Sequence, residues 1–162
     1  MNAAVRAATL VGVAKGWEVF GVRQGYQGLV DGDIEALAAA DVGSMLREGR
    51  TILGSARCLE FHEQQTRDRA RANLRARGID ALIVIGGNGS LTGALALSDR
   101  SECGDWVPRV IGIPASIDND LAITSMSIGV DTAMNTIVEA CDKIADTASA
   151  HDRTFLVEVM GR

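Results

Sequence analysis

Residues 81–87, ALIVIGG, constrain this chain most: an unbroken apolar run that ends in paired glycines. A strand with one wet face alternates apolar and polar residues. An unbroken run is the mark of a strand covered on both faces, as in a parallel sheet flanked by helices. Residues 87–98, GNGSLTGALALS, then read as the opening of a helix. A second apolar run, RVIGIPASIDND at 109–120, passes from strand into polar loop, and TFLVEVMGR at 154–162 reads as a third strand. Between them, residues 127–151 contain an amphipathic helix over roughly 131–148. Strands and helices in alternation predict an α/β fold: a doubly wound, mostly parallel sheet with helices on both faces. Ligands of such folds sit at the carboxyl ends of the strands. The segments GGNGS, PASIDND and EVMGR all lie at such ends.

The first half of the chain is patterned less sharply. Residues 3–15 are Ala-rich, with Val5, Thr9 and Val13 on one helical face, and Gly16 would end that helix. WEVFGV at 17–22 reads as a short strand. Gly25, Gly28, Gly32, Asp31 and Asp33 give residues 23–33 the chemistry of turns. A short helix near 41–48, a strand-to-loop stretch at 50–58 and an Arg-rich helix at 64–77 closed by Gly78 follow. The 162 residues suffice for one domain. Aromatic residues are only 4%, so the core must be aliphatic.

Charge and cysteine usage exclude several function classes. A net charge of −5 makes nucleic acid and anionic membrane poor partners, so any phosphate must be held by a few placed groups. Cys58, Cys103 and Cys141 are too widely spaced for a disulfide framework or zinc site, and His62 and His151 join no ligand cluster. No apolar run reaches the ~20 residues of a bilayer span. The N-terminus has no apolar leader core, and the chain reads as cytoplasmic.

Three constellations carry chemistry. Gly86-Gly87-Asn88-Gly89-Ser90 lies between strand and helix. Glycines let backbone approach a phosphate, and the free N–H groups of a helix start point at the anion. A plain tight turn is the competing reading. In Ser116-Ile117-Asp118-Asn119-Asp120, two carboxylates stand two residues apart; on extended backbone they would share a face. One could accept the proton of a hydroxyl nucleophile while the other helps hold a metal ion. A loop of solvated acids is the alternative. Arg57 and Arg162 each follow small residues, and arginine's planar fork suits phosphate.

These motifs resemble the 6-phosphofructokinase family. PASIDND is similar to that family's P-x-T-I-D-N-D, and HDRTFLVEVMGR to its H-x-R-x-x-x-V-E-V-M-G-R. The resemblance extends over the whole chain and implies an incomplete N-terminal, nucleotide-binding and catalytic domain over residues 1–162. It implies an ATP-dependent kinase that phosphorylates the 1-hydroxyl of fructose 6-phosphate with Mg²⁺ in the site. Asp118 would be the base, Ser116 would stand beside the transferred phosphoryl, and Asp120 would assist the metal and phosphates. Arg57 and Cys58 would lie along ATP, and Gly87, Asn88, Gly89 and Ser90 would cradle its phosphates. Ser116, Ile117 and Asp118 would contact the sugar, together with Met160, Gly161 and Arg162. Arg153 would reach the sugar phosphate of a neighbouring subunit, which implies a homo-oligomer, a tetramer in the family. Gly89 and Ala115 stand where pyrophosphate-dependent members carry Asp and Lys, which favours ATP as donor.

Departures from the family pattern shape the alternatives. Asn88 replaces the magnesium-binding Asp and predicts weakened metal binding, because it keeps an oxygen but loses the charge. Arg6 matches one arginine of the family's effector pocket, but Leu10, Ala39 and Ala145 stand where others often occur, and Ser44 replaces an acid. Effector control by that route is not expected. The chain begins after the family's first strand and its G-G-x-x-P-G loop and stops before the second domain, so it reads as a fragment without useful catalysis. A non-catalytic regulatory or binding chain and a pyrophosphate-dependent relative are the competing readings. The kinase reading requires the 86–90 turn and Asp118 to share one end of the sheet.

Overall fold

The computed structural model describes residues 1–49 and 51–160. Its helices and strands follow in the order α1 (Asn2–Ala14), β1 (Phe20–Val22), α2 (Gly25–Asp31), β2 (Ile34–Ala36), α3 (Gln64–Ala76), β3 (Ala81–Gly86), α4 (Asn88–Leu97), α5 (Arg100–Cys103), β4 (Arg109–Pro114) and α6 (Val130–Ala150). Short 3-10 turns at Met45–Arg47 and Leu59–His62 interrupt the loops. Strand β3 runs parallel to β4 in a register from Ala81 opposite Arg109 to Gly86 opposite Pro114. β1 and β2 form a separate antiparallel pair.

Helices and loops pack against part of each face of β3. On one face Leu82 joins the main core of Leu29, Val30, Ile34, Phe61, Ala70, Leu74 and Leu97, to which α2, α3 and α4 contribute. Gly112 of β4 lies close to α4: a Cβ there would sit 2.7 Å from Leu91 Cδ2. On the other face Ile85 packs on Val5 of α1, Val42 and Met45. Asn2 ties α1 to this side, donating from Nδ2 to Met45 O and accepting from Ile52 N on Oδ1. The fold is thus α/β with a parallel sheet.

Four local expectations change. The 23–33 stretch forms helix α2, not a plain turn. Its ends are left-handed residues, Gln24 at φ 56° and Gly32 at φ 77°, and Gly28 lies so close to Arg23 O that a Cβ would sit 1.7 Å away. The glycines that suggested a turn allow a short helix to start and stop within a tight space. The strand expected in 17–22 begins only at Phe20, and the described part of 50–58 is turn and loop. Residues 154–160 pair with no strand among the described residues. They follow α6, in which only Val130 is buried, so the segment is not carried to a sheet edge. The expected double burial of the sheet is also incomplete: Ile83 is 44% and Ile111 62% exposed, because α6 does not lie across that face.

Charge is buried in one place with full compensation. Arg67 and Arg71 of α3, both nearly buried, donate to Glu102 of α5; Arg67 also donates to Phe61 O and His62 O, and Arg71 to Ala96 O and Leu97 O. The two guanidiniums hold the Glu102 carboxyl down to about 2, well below the usual range. Among the described residues no helix is long and apolar enough to cross a membrane.

Candidate phosphate site at the strand ends

The register of β3 and β4 brings their carboxyl ends side by side, and Ala115 N donates to Gly86 O at 2.9 Å just beyond the ladder. Helix α4 starts at once: Gly87 is its N-cap in extended conformation, and Leu91 N closes the first turn on Gly87 O. The N–H groups of the first turn therefore have no partner within the helix and face the strand ends. Gly86 and Gly87 are both needed for close approach. A Cβ on Gly86 would stand 2.6 Å from Ser90 Oγ, and one on Gly87 would stand 3.2 Å from Ser116 Cβ and 3.3 Å from its Oγ. The turn at 86–90 and the loop that begins at Ser116 are thus neighbours at one end of the sheet.

The Ser116–Asp120 loop is not extended. Ser116 Oγ accepts from Asp118 N at 3.2 Å, and Asn119 adopts a left-handed φ of 51°. The two-residue alternation that would align Asp118 with Asp120 is therefore lost. Ser116 and Asp118 are half-buried, whereas Ile117 and Asp120 are exposed.

Tyr26, the single tyrosine of the chain, escaped the sequence reading. Its hydroxyl donates to Ser90 O at 2.5 Å, and its ring stacks on Phe61 with centroids 4.0 Å apart. Burial pushes its phenol upward, so it stays a donor. Tyr26 and Phe61 pack with Cys58 in the main core, which links the 57–58 segment to the first turn of α4. Burial also raises the Cys58 thiol, and Arg57 beside it is exposed. An aromatic placed among glycines was the one available signal for Tyr26. Asn119 and Ser127, which hold the acidic loop, gave none.

The remaining expected residues are not gathered here. Arg153, whose N–H donates to Ala148 O, and Met160, 81% exposed, follow α6 in the chain. Gly161 and Arg162 lie outside the described residues. Asn88 heads α4 as a neutral amide, and among the described residues no cluster of three His, Cys, Asp or Glu could ligate a metal. The donor set fits Mg²⁺ only as an ion carried mainly by phosphate oxygens, with one or two protein oxygens added. Leu10, at an effector position of the family pattern, packs on the Val5, Val42 and Met45 cluster, and Arg6 Nε is buried without a hydrogen-bond partner among the described residues.

The phosphofructokinase family model matches residues 1–162. The ATP-dependent 6-phosphofructokinase of Staphylococcus epidermidis is 54% identical over 162 residues, all of this chain and 49% of that protein. That of Thermotoga neapolitana is 51% identical with the same coverage. The chain thus spans about half the length of the curated relatives it matches. Phosphofructokinase from Saccharomyces cerevisiae superposes with a TM-score of 0.91 at 40% identity, over 100% of this chain and 24% of that one. A pyrophosphate-dependent phosphofructokinase from Nitrosospira multiformis shares the fold, with a TM-score of 0.77 at 22% identity over 92% of this chain and 39% of that one. With a family model matched from end to end and the glycine turn seated against the Ser116 loop, the chain belongs to the phosphofructokinase family.

Proposed function

We propose that this chain supplies the phosphate turn and the proton acceptor for phosphoryl transfer from ATP to the 1-hydroxyl of fructose 6-phosphate, the step that yields fructose 1,6-bisphosphate in glycolysis. One observation carries the reading: Gly87 stands against the Ser116 side chain, so an anion on the first-turn amides of α4 meets the acidic loop. The amides of Gly87, Asn88, Gly89 and Ser90 hold the nucleotide's phosphates, and Arg57 neutralises the transferring group. Asp118 takes the proton of the sugar hydroxyl as its oxygen bonds to the γ-phosphorus, and the bond from that phosphorus to the bridging oxygen of ADP breaks. Ser116 and Ile117 line the acceptor side, and Met160, Gly161 and Arg162 hold the sugar. Arg153 reaches across to a second copy in a homo-oligomer. Asn88 and Asp120 are the protein oxygens that would complete a Mg²⁺ site, whose charge offsets that of the phosphates. The setting fits a cytoplasmic enzyme.

The names of the relatives above 50% identity support ATP as donor, in line with Gly89 and Ala115. Asn88 favours a second reading, a chain that binds nucleotide without turnover. The experiment is titration of the ¹⁵N-labelled chain with Mg·ATP, then pyrophosphate, combined with a coupled assay for fructose 1,6-bisphosphate. Amide shifts at 86–90 and 116–120, with smaller ones at 57–58, are expected with ATP. A response to pyrophosphate alone would turn the assignment to the pyrophosphate-dependent class. ATP binding without product would favour the non-catalytic reading, and no shift at either segment would defeat all three.

A further inference from the structure

We propose that Ser127 and Asn119 are positioning residues that hold the Ser116–Asp118 turn in the conformation proton transfer needs; this rests on the kinase reading given above. Ser127 is 3% exposed although Met126 and Ile128 on either side of it are 55% and 38% exposed. A small polar residue buried alone in an exposed segment is held there by its bonds. Ser127 Oγ donates to Ser116 O at 2.6 Å, and Ser127 N donates to Asn119 Oδ1 at 3.0 Å. The next residue, Ile128, donates from N to Pro114 O at 3.0 Å. The segment thus closes back on the end of β4 and on both sides of Asp118.

The consequence for the turn is specific. With its carbonyl held by Ser127, the Ser116 peptide cannot flip. Ser116 Oγ accepts from Asp118 N, so the hydroxyl's own proton is left to be donated on the Gly87 side, where the phosphoryl group would lie. Asn119, at φ 51°, sits in the left-handed region that asparagine tolerates better than most side chains, and its amide oxygen ties that backbone to Ser127. One clip therefore sets both the donor direction of Ser116 and the direction in which Asp118 leaves the chain. Neither Ser127 nor Asn119 touches the transferred group.

Ser127→Ala removes the Oγ bond and Ser127→Thr keeps it. Two readouts are taken on the full chain: hydrogen exchange of the Asp118 amide, and the turnover and KM for ATP in the coupled assay. Exchange at Asp118 should quicken on the order of tenfold in Ser127→Ala, as when local opening becomes easier, and return to the parent rate in Ser127→Thr. Turnover should fall about tenfold or more, with KM for ATP within about twofold, since misplacement near the chemistry costs rate rather than nucleotide binding. Unchanged exchange in Ser127→Ala overturns the clip whether or not the chain turns over. Quickened exchange with unchanged turnover overturns the positioning role. If the parent binds ATP but forms no product, the non-catalytic reading is favoured, and the exchange arm alone decides the clip. Should Ser127→Ala not fold, Asn119→Ala breaks the same clip from its exposed side and is judged by the same two readouts.

Discussion

Replacing Gly93 by alanine should destabilise the protein, although alanine is the better helix former by about 1 kcal/mol. Gly93 lies within α4, with its Cα turned to the Tyr26 ring. A Cβ there would stand 2.7 Å from Cε2, 3.0 Å from Cζ and 3.1 Å from the hydroxyl. The ring has no room to retreat, because its far face stacks on Phe61, itself 6% exposed. Overpacking of this kind costs about 1–3 kcal/mol. Breaking the bond from the Tyr26 hydroxyl to Ser90 O costs about 0.5–1.5 kcal/mol more. Set against the propensity gain, the net loss is about 0.5–3.5 kcal/mol, which for a chain of this size lowers Tm by several degrees, at about 2–4 °C per kcal/mol. Urea unfolding followed by far-ultraviolet circular dichroism would report it as a lower midpoint at constant slope. The cause is isolated by repeating the change in Tyr26→Ala. With the ring gone, Gly93→Ala should become stabilising by about 1 kcal/mol, so the sign reverses between backgrounds. A raised midpoint in the parent, or the same shift in both backgrounds, would refute the packing argument.

Two further outcomes follow from charge. The Arg67 and Arg71 guanidiniums hold Glu102 at about 2 against an ordinary 4.5, so its stabilisation is full above about pH 4.5 and is lost as pH falls towards 2; Glu102→Gln should lower Tm at neutral pH and flatten its fall across that window, and an unchanged acid slope would contradict the assignment. Asn88→Asp restores a carboxylate at the head of α4, and the Mg²⁺ concentration for half-maximal ATP binding, measured by calorimetry, should drop on the order of tenfold, about 1.4 kcal/mol; identical Mg²⁺ dependence would show that residue 88 is not near the metal.

The readable parts of this chain were those whose structure is made by neighbours in sequence. The run 81–86 is apolar without alternation, and glycines followed by helix formers leave one course at its end, so β3, the Gly87 turn and α4 lie as expected. The same holds for β4 and for α3 and its stop at Gly78. Contacts between distant segments were not legible. Whether 23–33 is turn or helix depends on the space between Arg23 and the main core, and glycine is compatible with both. A strand at 154–160 needs a partner edge to fill its hydrogen bonds, and no periodicity in the segment supplies one. By itself the sequence determined the glycine turn, the acidic loop and their place at strand ends. Only the tertiary structure decided that Gly87 touches Ser116, that Tyr26 braces Ser90 and that Ser127 anchors the acidic loop. These are contacts across 29, 64 and 11 residues of chain, set by packing and by hydrogen bonds that no local pattern encodes.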